Sequence, residues 1–211
     1  LTHMGTYTFA QCRNLESVMI GDGLTMIGEA TFWDCVSLTS ITIPDSVTTI
    51  GDYAFHECTS LTSVTMGKGI KTVGGYAFMN CSSLNAVHIS DLTLWCNIDF
   101  VNPISNGFHL VANPLYYARN LYLNGELITE LVIPESVTEI KFLAFTGCSA
   151  SNIVFHDNVK SIGPCAFERS ENIENLVKTI SSDKNITNMN QIKIPYGHTG
   201  IFKTSVNEFA N

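Results

Sequence analysis

The sequence predicts an α/β solenoid of repeats about 23 residues long, with a parallel β-sheet on one face and short helical turns on the other. Three observations predict this fold. Residues 15–37 and 38–60 are identical at 10 of 23 positions when they are aligned without gaps. Each repeat opens with alternating apolar and polar residues, which is typical of a half-buried strand. Phenylalanine and cysteine recur at the repeat spacing, at Phe9, Phe32, Phe55 and Phe78 and at Cys12, Cys35, Cys58 and Cys81.

The first element of each repeat is a strand, and residues 38–44 illustrate it. Ile41 and Ile43 point to one side of this strand, while the Ser and Thr residues between them point to the other. β-branched residues such as these favour strands. Pro44 ends the strand, because proline has no N–H group to donate to a sheet.

The second part of the repeat is an apolar pair followed by a turn segment. Val47 and Ile50 form the pair, and Gly51 interrupts the run after them. Residues 52–58 contain better helix formers, so we expect one or two helical turns there. A single unit of this kind cannot bury its apolar side, whereas stacked copies cover one another, with strands about 4.8 Å apart. The repeat therefore predicts a solenoid.

The repeat cysteines are expected to form a column of buried thiols. Neighbouring coils would bring Cys35 and Cys58 within the range of a disulfide, but the chain has an odd number of cysteines, seven. A free cysteine behaves as a small buried hydrophobic residue, and we favour this interpretation over disulfides. On this basis Cys58→Ser is expected to cost on the order of 1–3 kcal/mol, because its hydroxyl would be buried without a good partner.

The repeat pattern resembles the BspA-type leucine-rich repeat. The match is carried by C-x-x-L-x-x-I-x-I-P over residues 35–44 and by G-x-x-A-F-x-x-C over residues 51–58, and again by the stretch from Leu131 to Cys148. The resemblance implies a leucine-rich-repeat solenoid of the BspA type. It also implies secretion, a place at the bacterial cell surface, and adhesion to host proteins, glycans or other microbes.

The chain is expected to form one solenoid domain over residues 1–211. Regular repeats cover 7–89 and 128–170, an irregular coil rich in aromatic residues covers 90–127, and 171–211 is a C-terminal cap. Within the irregular coil, Leu121 and Leu123 alternate into Asn124-Gly125, which is a strong signal for a hairpin turn. The first repeat is represented only by its tail, so we expect further repeats or domains in the parent protein.

Composition excludes several functional classes. Charged residues make up only 14% of the chain and the formal net charge is −8, so phosphate backbones would be repelled and nucleic acid is not an expected partner. No run of 18 or more apolar residues is present, and we expect no membrane insertion by this segment. The apolar share of 45% is sufficient for a folded core, which argues against disorder.

Catalytic, metal and cofactor sites are not expected. The six histidines are scattered, and none accompanies a nucleophile motif; Trp95-Cys96 lacks the flanking residues of a cysteine protease. Acidic residues recur after the strands, where they could either bind calcium or take part in turns. The basic Lys68 within this row favours turn chemistry. The row consists of Asp22, Asp45, Asp91, Glu135 and Asp157.

Two surfaces are candidates for ligand binding. The first is the outward face of the sheet, with Met19, Thr42, Thr65 and His88 at one repeat position, flanked by Ser17, Ser40, Ser63 and Ala86 at another. Uncharged hydroxyl groups can bind sugars or peptide backbones at low desolvation cost, but the face could equally be merely soluble. The second surface is the irregular coil, with Trp95, Tyr116 and Tyr117, whose aromatic rings could instead fill the core of that coil.

These observations favour a non-enzymatic recognition or adhesion module that binds a protein or glycan ligand on a host or a neighbouring microbe, without a cofactor and in an extracellular location. The alternative hypothesis is a structural spacer or assembly module of a larger secreted surface protein. A weaker alternative is a module attached to an enzyme.

Overall fold

The computed structural model describes residues 2–101 and 112–170, together with the backbone of residues 175–178. The described chain winds as a solenoid in which successive repeats stack as coils. The elements are β1 (His3–Met4), β2 (Met26–Ile27), β3 (Ser40–Thr42), β4 (Thr49–Ile50), β5 (Ser63–Thr65), β6 (Thr72–Val73), β7 (Ala86–Ile89), α1 (Leu92–Cys96), β8 (Asp99–Phe100), α2 (Leu115–Ala118), β9 (Leu121–Leu123), β10 (Glu126–Leu127), β11 (Glu130–Val132), β12 (Glu139–Ile140), β13 (Asn152–Phe155), β14 (Ser161–Ile162) and β15 (Asn175–Lys178).

The opening strands β3, β5 and β7 of three successive repeats lie in one sheet with β9 and β10, and we call it the main sheet. Its strand order is β10-β9-β7-β5-β3, and all neighbours are parallel except the β9–β10 pair. Ile41 pairs with Val64, Val64 with Val87, and Val87 with Leu121, so the inward residues form one apolar column. The predicted parallel sheet is thus confirmed, with this column 2% exposed or less.

A second parallel sheet forms where the sequence showed only an apolar pair. Its strands have two residues each and follow the order β1-β2-β4-β6-β8; we call it the second sheet. Ile27, Ile50, Val73 and Phe100 are in register and point into the core. Each regular coil therefore presents two strands to its neighbours.

The predicted hairpin closes the irregular coil. β10 pairs antiparallel with β9, and the two turn residues have positive φ angles, 53° at Asn124 and 89° at Gly125. Parallel pairing resumes after the hairpin, with β11-β13-β15 in one sheet and β12-β14 in another. The Asn-Gly pair suits this turn because both residues tolerate the left-handed conformation.

The prediction of helical turns in the regular coils was wrong. The segment before each repeat cysteine is a series of tight turns. Its N–H groups donate alternately to carbonyls of the next coil and to carbonyls of the same coil. The N–H of Phe55 donates to the carbonyl of Ala77 in the next coil at 2.7 Å, whereas the N–H of His56 donates to Tyr53 in its own coil at 3.0 Å. Tyr53 and Glu57 adopt left-handed conformations, with φ of 56° and 61°. Left-handed residues interrupt an α-helix, and here they direct alternate N–H groups to the next coil.

One continuous apolar core runs through the described coils, from Met4 to Phe167. The repeat phenylalanines form its axis. Phe32 stacks on Phe55 with a centroid distance of 5.3 Å, and Phe55 stacks on Phe78 at 5.1 Å. These rings are fully buried, so each coil covers the apolar side of the one before it.

The repeat cysteines are free thiols with a common hydrogen bond. The Sγ atoms of Cys35, Cys58 and Cys81 each donate to the carbonyl oxygen of the phenylalanine one coil earlier, at 3.1 Å. The expected cost of Cys58→Ser therefore needs a correction, because a hydroxyl placed there has an acceptor within reach.

The proposed C-terminal cap, residues 171–211, lies outside the described residues apart from the backbone of β15, which pairs parallel with β13. The part of the irregular coil over residues 102–111 is likewise outside them. In the described ranges no helix is long and apolar enough to span a bilayer.

Candidate ligand-binding surfaces

The outward residues of the main sheet form a continuous row. Thr42, Thr65, His88 and Tyr122 lie side by side, each in register with the next, and we call these four residues the outer row. Thr42 and Thr65 are exposed, whereas His88 and Tyr122 are half-buried. The strand residue beside them, such as Val64, points inward and is fully buried, which fixes the outer row on the solvent side.

The structure brings three of the four predicted sheet residues together in this row. The fourth, Met19, lies one coil before Thr42 and is 94% exposed, but it is not part of a described strand. The two coils remain aligned, because the N–H of Thr39 donates to the carbonyl of Glu16 at 3.2 Å. Met19 therefore extends the row as an exposed apolar side chain.

Tyr122 belongs to the outer row but was not among the predicted site residues. Its ring stacks on His88 with a centroid distance of 4.7 Å and an interplanar angle of 27°. The signal was present in the sequence, because Leu121 and Leu123 alternate around Tyr122 and place it on the opposite side. The sequence alone does not give the register, because 32 residues lie between the end of β7 and Tyr122.

The same face becomes apolar beyond the outer row. Leu127 pairs with Tyr122 and is 42% exposed, and Val132 in the following sheet is 52% exposed. The parallel row of Ser40, Ser63 and Ala86 flanks the threonines. The outward face thus carries hydroxyl groups in its first coils and an aromatic and aliphatic segment around the hairpin.

The prediction that Trp95 contacts a ligand is wrong, because Trp95 is a core residue. It is 1% exposed, and its Nε1 donates to the carbonyl of Ala144 at 2.9 Å. Its ring lies 5.5 Å from that of Phe100 between centroids. An external ligand cannot reach this side chain without opening the core, and its hydrogen bond joins the irregular coil to the regular coil that follows.

Tyr116 and Tyr117 lie on α2 and are half-buried. The hydroxyl of Tyr117 accepts a hydrogen bond from the N–H of Asn80 at 3.0 Å. The guanidinium of Arg169 lies over the ring of Tyr116, 4.4 Å from its centroid, in a cation–π contact. The two tyrosines connect α2 to coils on either side of it, so part of each ring serves packing and part remains open to solvent.

Two carboxylates of the acidic row accept hydrogen bonds from backbone N–H groups at turns or at a helix start. The carboxylate of Asp45 accepts from the N–H of Lys68 in the next coil at 2.8 Å, and that of Asp91 accepts from the N–H of Leu94 at 3.0 Å, at the start of α1. Within the described residues, no three His, Cys, Asp or Glu side chains are grouped to hold a metal ion.

The buried thiols have little nucleophilic character. Burial raises the pKa of Cys81 and of Cys96 to about 12, and that of Cys35 to about 11. A thiol acts as a nucleophile in its deprotonated form, so these groups stay unreactive near neutral pH. Burial also lowers the pKa of His56, which lies between the rings of Trp33 and Tyr53.

The chain is similar to several solved structures of leucine-rich repeat proteins. A leucine-rich repeat protein from Bacteroides ovatus is 26% identical and has a TM-score of 0.44, with 84% of this chain and 53% of that chain covered. A leucine-rich repeat protein from T. pallidum is 20% identical, with a TM-score of 0.40 and coverage of 74% and 64%. A leucine rich cell surface protein from Faecalibacterium prausnitzii is 18% identical, with a TM-score of 0.31 and coverage of 84% and 64%.

The chain thus spans less than two thirds of the length of these three proteins. A search of curated proteins finds no significant match. The model of the BspA type leucine rich repeat region matches in six copies, over residues 1–100 and 118–209, which is most of the chain. The chain belongs to the BspA-type leucine-rich repeat family.

Proposed function

We propose that this chain is a non-enzymatic recognition module that binds a protein or glycan ligand through the outer row of the main sheet, in an adhesive role at the cell surface. The observation that carries the proposal is the unbroken register from Thr42 to Tyr122, which holds four uncharged or weakly basic side chains on one face. Their spacing is fixed by the sheet, so little ordering entropy is lost on binding.

The chemistry of the outer row suits recognition of neutral polar groups. The hydroxyls of Thr42 and Thr65 can donate and accept hydrogen bonds, and neither carries a charge that must be desolvated. The stacked pair of His88 and Tyr122 supplies a rigid aromatic contact next to them, and such residues are favoured at the centres of interfaces. The exposed Leu127 and Val132 extend the contact surface with apolar area.

Membership of the family supports the surface role. Leucine-rich repeats serve widely as scaffolds for protein interaction, and solenoids present extended surfaces of repeated side chains. The buried, protonated thiols and the scattered histidines supply no catalytic arrangement in the described residues, which favours binding over chemistry.

An array of glycans and extracellular-matrix proteins tests the proposal. The purified chain is applied beside a heat-unfolded control, and light scattering is recorded without ligand. Saturable binding that requires the folded chain would support a recognition module and identify its ligand class. Absence of binding across the array, together with end-to-end association in solution, would contradict it and favour a spacer or assembly module.

A further inference from the structure

An open groove of about 410 Å³ lies beside α2, away from the outer row. It runs along the coils between the turns that precede the repeat cysteines and the strands of the main sheet. Its walls include Glu57, Thr59, Asn80 and Ser82 from two successive coils, and Tyr117 from α2. Its volume falls within the range of small-molecule sites.

The repeat places the polar groups of the groove in one line. Glu57 and Asn80 occupy the same repeat position in adjacent coils, and both have left-handed backbones, with φ of 61° and 63°. Thr59 and Ser82 follow two residues later in their coils. The turn ladder therefore places a carboxylate, an amide and two hydroxyls at matching repeat positions along the groove.

The side chains of Glu57, Thr59, Asn80 and Ser82 have no polar partner among the described residues. Across residues 2–101 and 112–170, none of the four side chains makes a hydrogen bond or ion pair with another residue. Asp34 also lines the groove, but its carboxylate accepts from two guanidinium nitrogens of Arg13, with the Nε contact at 2.9 Å. Of the two carboxylates that line the groove, Glu57 is thus the one without a salt bridge to a described residue.

Tyr117 gives the groove an aromatic wall in a fixed position. Its hydroxyl accepts from the N–H of Asn80, and its ring packs partly against the core. The side chain is half-buried and is the one aromatic residue among those that line the groove. The hydrogen bond removes rotational freedom from the side chain before any ligand arrives.

We propose that this groove binds a neutral saccharide unit. A sugar presents adjacent hydroxyls on one edge and C–H groups on its ring faces. The Glu57 carboxylate accepts from sugar hydroxyls, the Asn80 amide and the hydroxyls of Thr59 and Ser82 complete the polar contacts, and the Tyr117 ring packs on a C–H face. A phosphate or sulfate would be repelled by Glu57, and the polar walls do not suit a lipid. The site is separate from the outer row and does not depend on the proposed function.

Titration with D-glucose, D-galactose, D-mannose and N-acetyl-D-glucosamine, followed by NMR shift changes, tests the proposal. At least one sugar is expected to bind in the millimolar range, with shifts confined to the groove residues. The variant Glu57→Gln/Ser82→Ala should weaken binding about tenfold or more, because charged hydrogen bonds contribute about 1.5–3 kcal/mol. Both substitutions keep the backbone free of new strain, unlike a change of Asn80, whose φ favours asparagine.

The matched control is Glu126→Gln/Ser83→Ala, which removes the same groups at exposed positions outside the groove. It should bind sugar like the parent chain. The proposal is overturned if no sugar shifts the groove residues, or if the groove variant binds as well as the control. It is also overturned if ethylammonium binds there in a salt-sensitive way while the sugars do not, because the groove would then be a cation site.

Discussion

The hydroxyl of Ser170 donates to the carbonyl oxygen of Phe145 at 2.9 Å, in the position where earlier coils place a cysteine thiol on a phenylalanine carbonyl. Ser170 is fully buried, as Cys58 and Cys81 are. The repeat position therefore accommodates a small side chain with a donor, which can be a thiol or a hydroxyl. This hydrogen bond gives the buried cysteines a structural role that needs no disulfide.

Replacing Cys58 by serine should be tolerated better than replacing it by alanine. Serine keeps a donor for the Phe32 carbonyl, so we expect a loss of at most about 1 kcal/mol in the free energy of unfolding. Alanine removes the donor and leaves a small void, with a cost of about 1–3 kcal/mol. Chemical denaturation of the two variants measures this difference. An alanine variant at least as stable as the serine variant would show that the hydrogen bond has no role.

Thiol labelling in the native protein should detect one fast cysteine. Cys12 is exposed, whereas burial raises the pKa of Cys165 to about 11. At pH 8 a thiol with this pKa is deprotonated in about one molecule in a thousand, and its labelling should accelerate as the pH rises toward 11. Ellman's reagent should therefore report one rapid thiol in buffer and all seven in denaturant. The Cys12→Ser variant should lose the rapid phase; several rapid thiols in the native chain would contradict the buried column.

Gly51→Ala should destabilise the solenoid severely. A Cβ atom at this position would lie 2.6 Å from the backbone nitrogen of Glu29 and 2.7 Å from the carbonyl carbon of Gly28, both in the preceding coil. Backbone atoms cannot move aside as a flexible side chain can, so the two coils must shift apart. We expect this to lower the free energy of unfolding by at least about 2 kcal/mol. Thermal unfolding measures the loss. Gly21→Ala is the control, because nothing lies within 4 Å of its Cβ and the melting temperature should be unchanged.

Trp95→Ala should lower stability by about 3–5 kcal/mol, because a fully buried ring and its hydrogen bond to Ala144 are both lost. Chemical denaturation without any ligand is the measurement. Tyr117→Phe provides a comparison: it removes one acceptor at a half-buried site and should cost about 1 kcal/mol or less. If Trp95→Ala unfolded at the same denaturant concentration as the parent chain, its place in the core would be wrong.

The sequence was sufficient for those elements whose signal is local or strictly periodic. The strand at Ile41, the phenylalanine and cysteine columns, and the Asn124-Gly125 hairpin follow from spacing, alternation and turn chemistry. The repeat pattern predicts these elements because each coil packs against a coil of similar sequence. The residues that one repeat buries are therefore also those that its neighbours bury.

The remaining features depend on contacts between coils. Residues 52–58 contain good helix formers, yet hydrogen bonds to the next coil override that local preference. The sequence leaves Trp95 as either a ligand residue or a core residue, because nothing in it indicates that the indole reaches Ala144. Tyr122 was missed for the same reason, since its place beside His88 depends on how the irregular coil returns the chain to the main sheet.

Matched arginine variants test recognition by the outer row most directly. Thr42→Arg/Thr65→Arg places bulk on the main sheet, and Thr49→Arg/Thr72→Arg places the same change in the same coils on the second sheet. Affinity for the ligand from the array is measured for both variants, with thermal unfolding as a check on folding. We expect the main-sheet variant to lose binding at least tenfold while the second-sheet variant binds like the parent chain. Equal binding by the two variants would contradict recognition through the outer row.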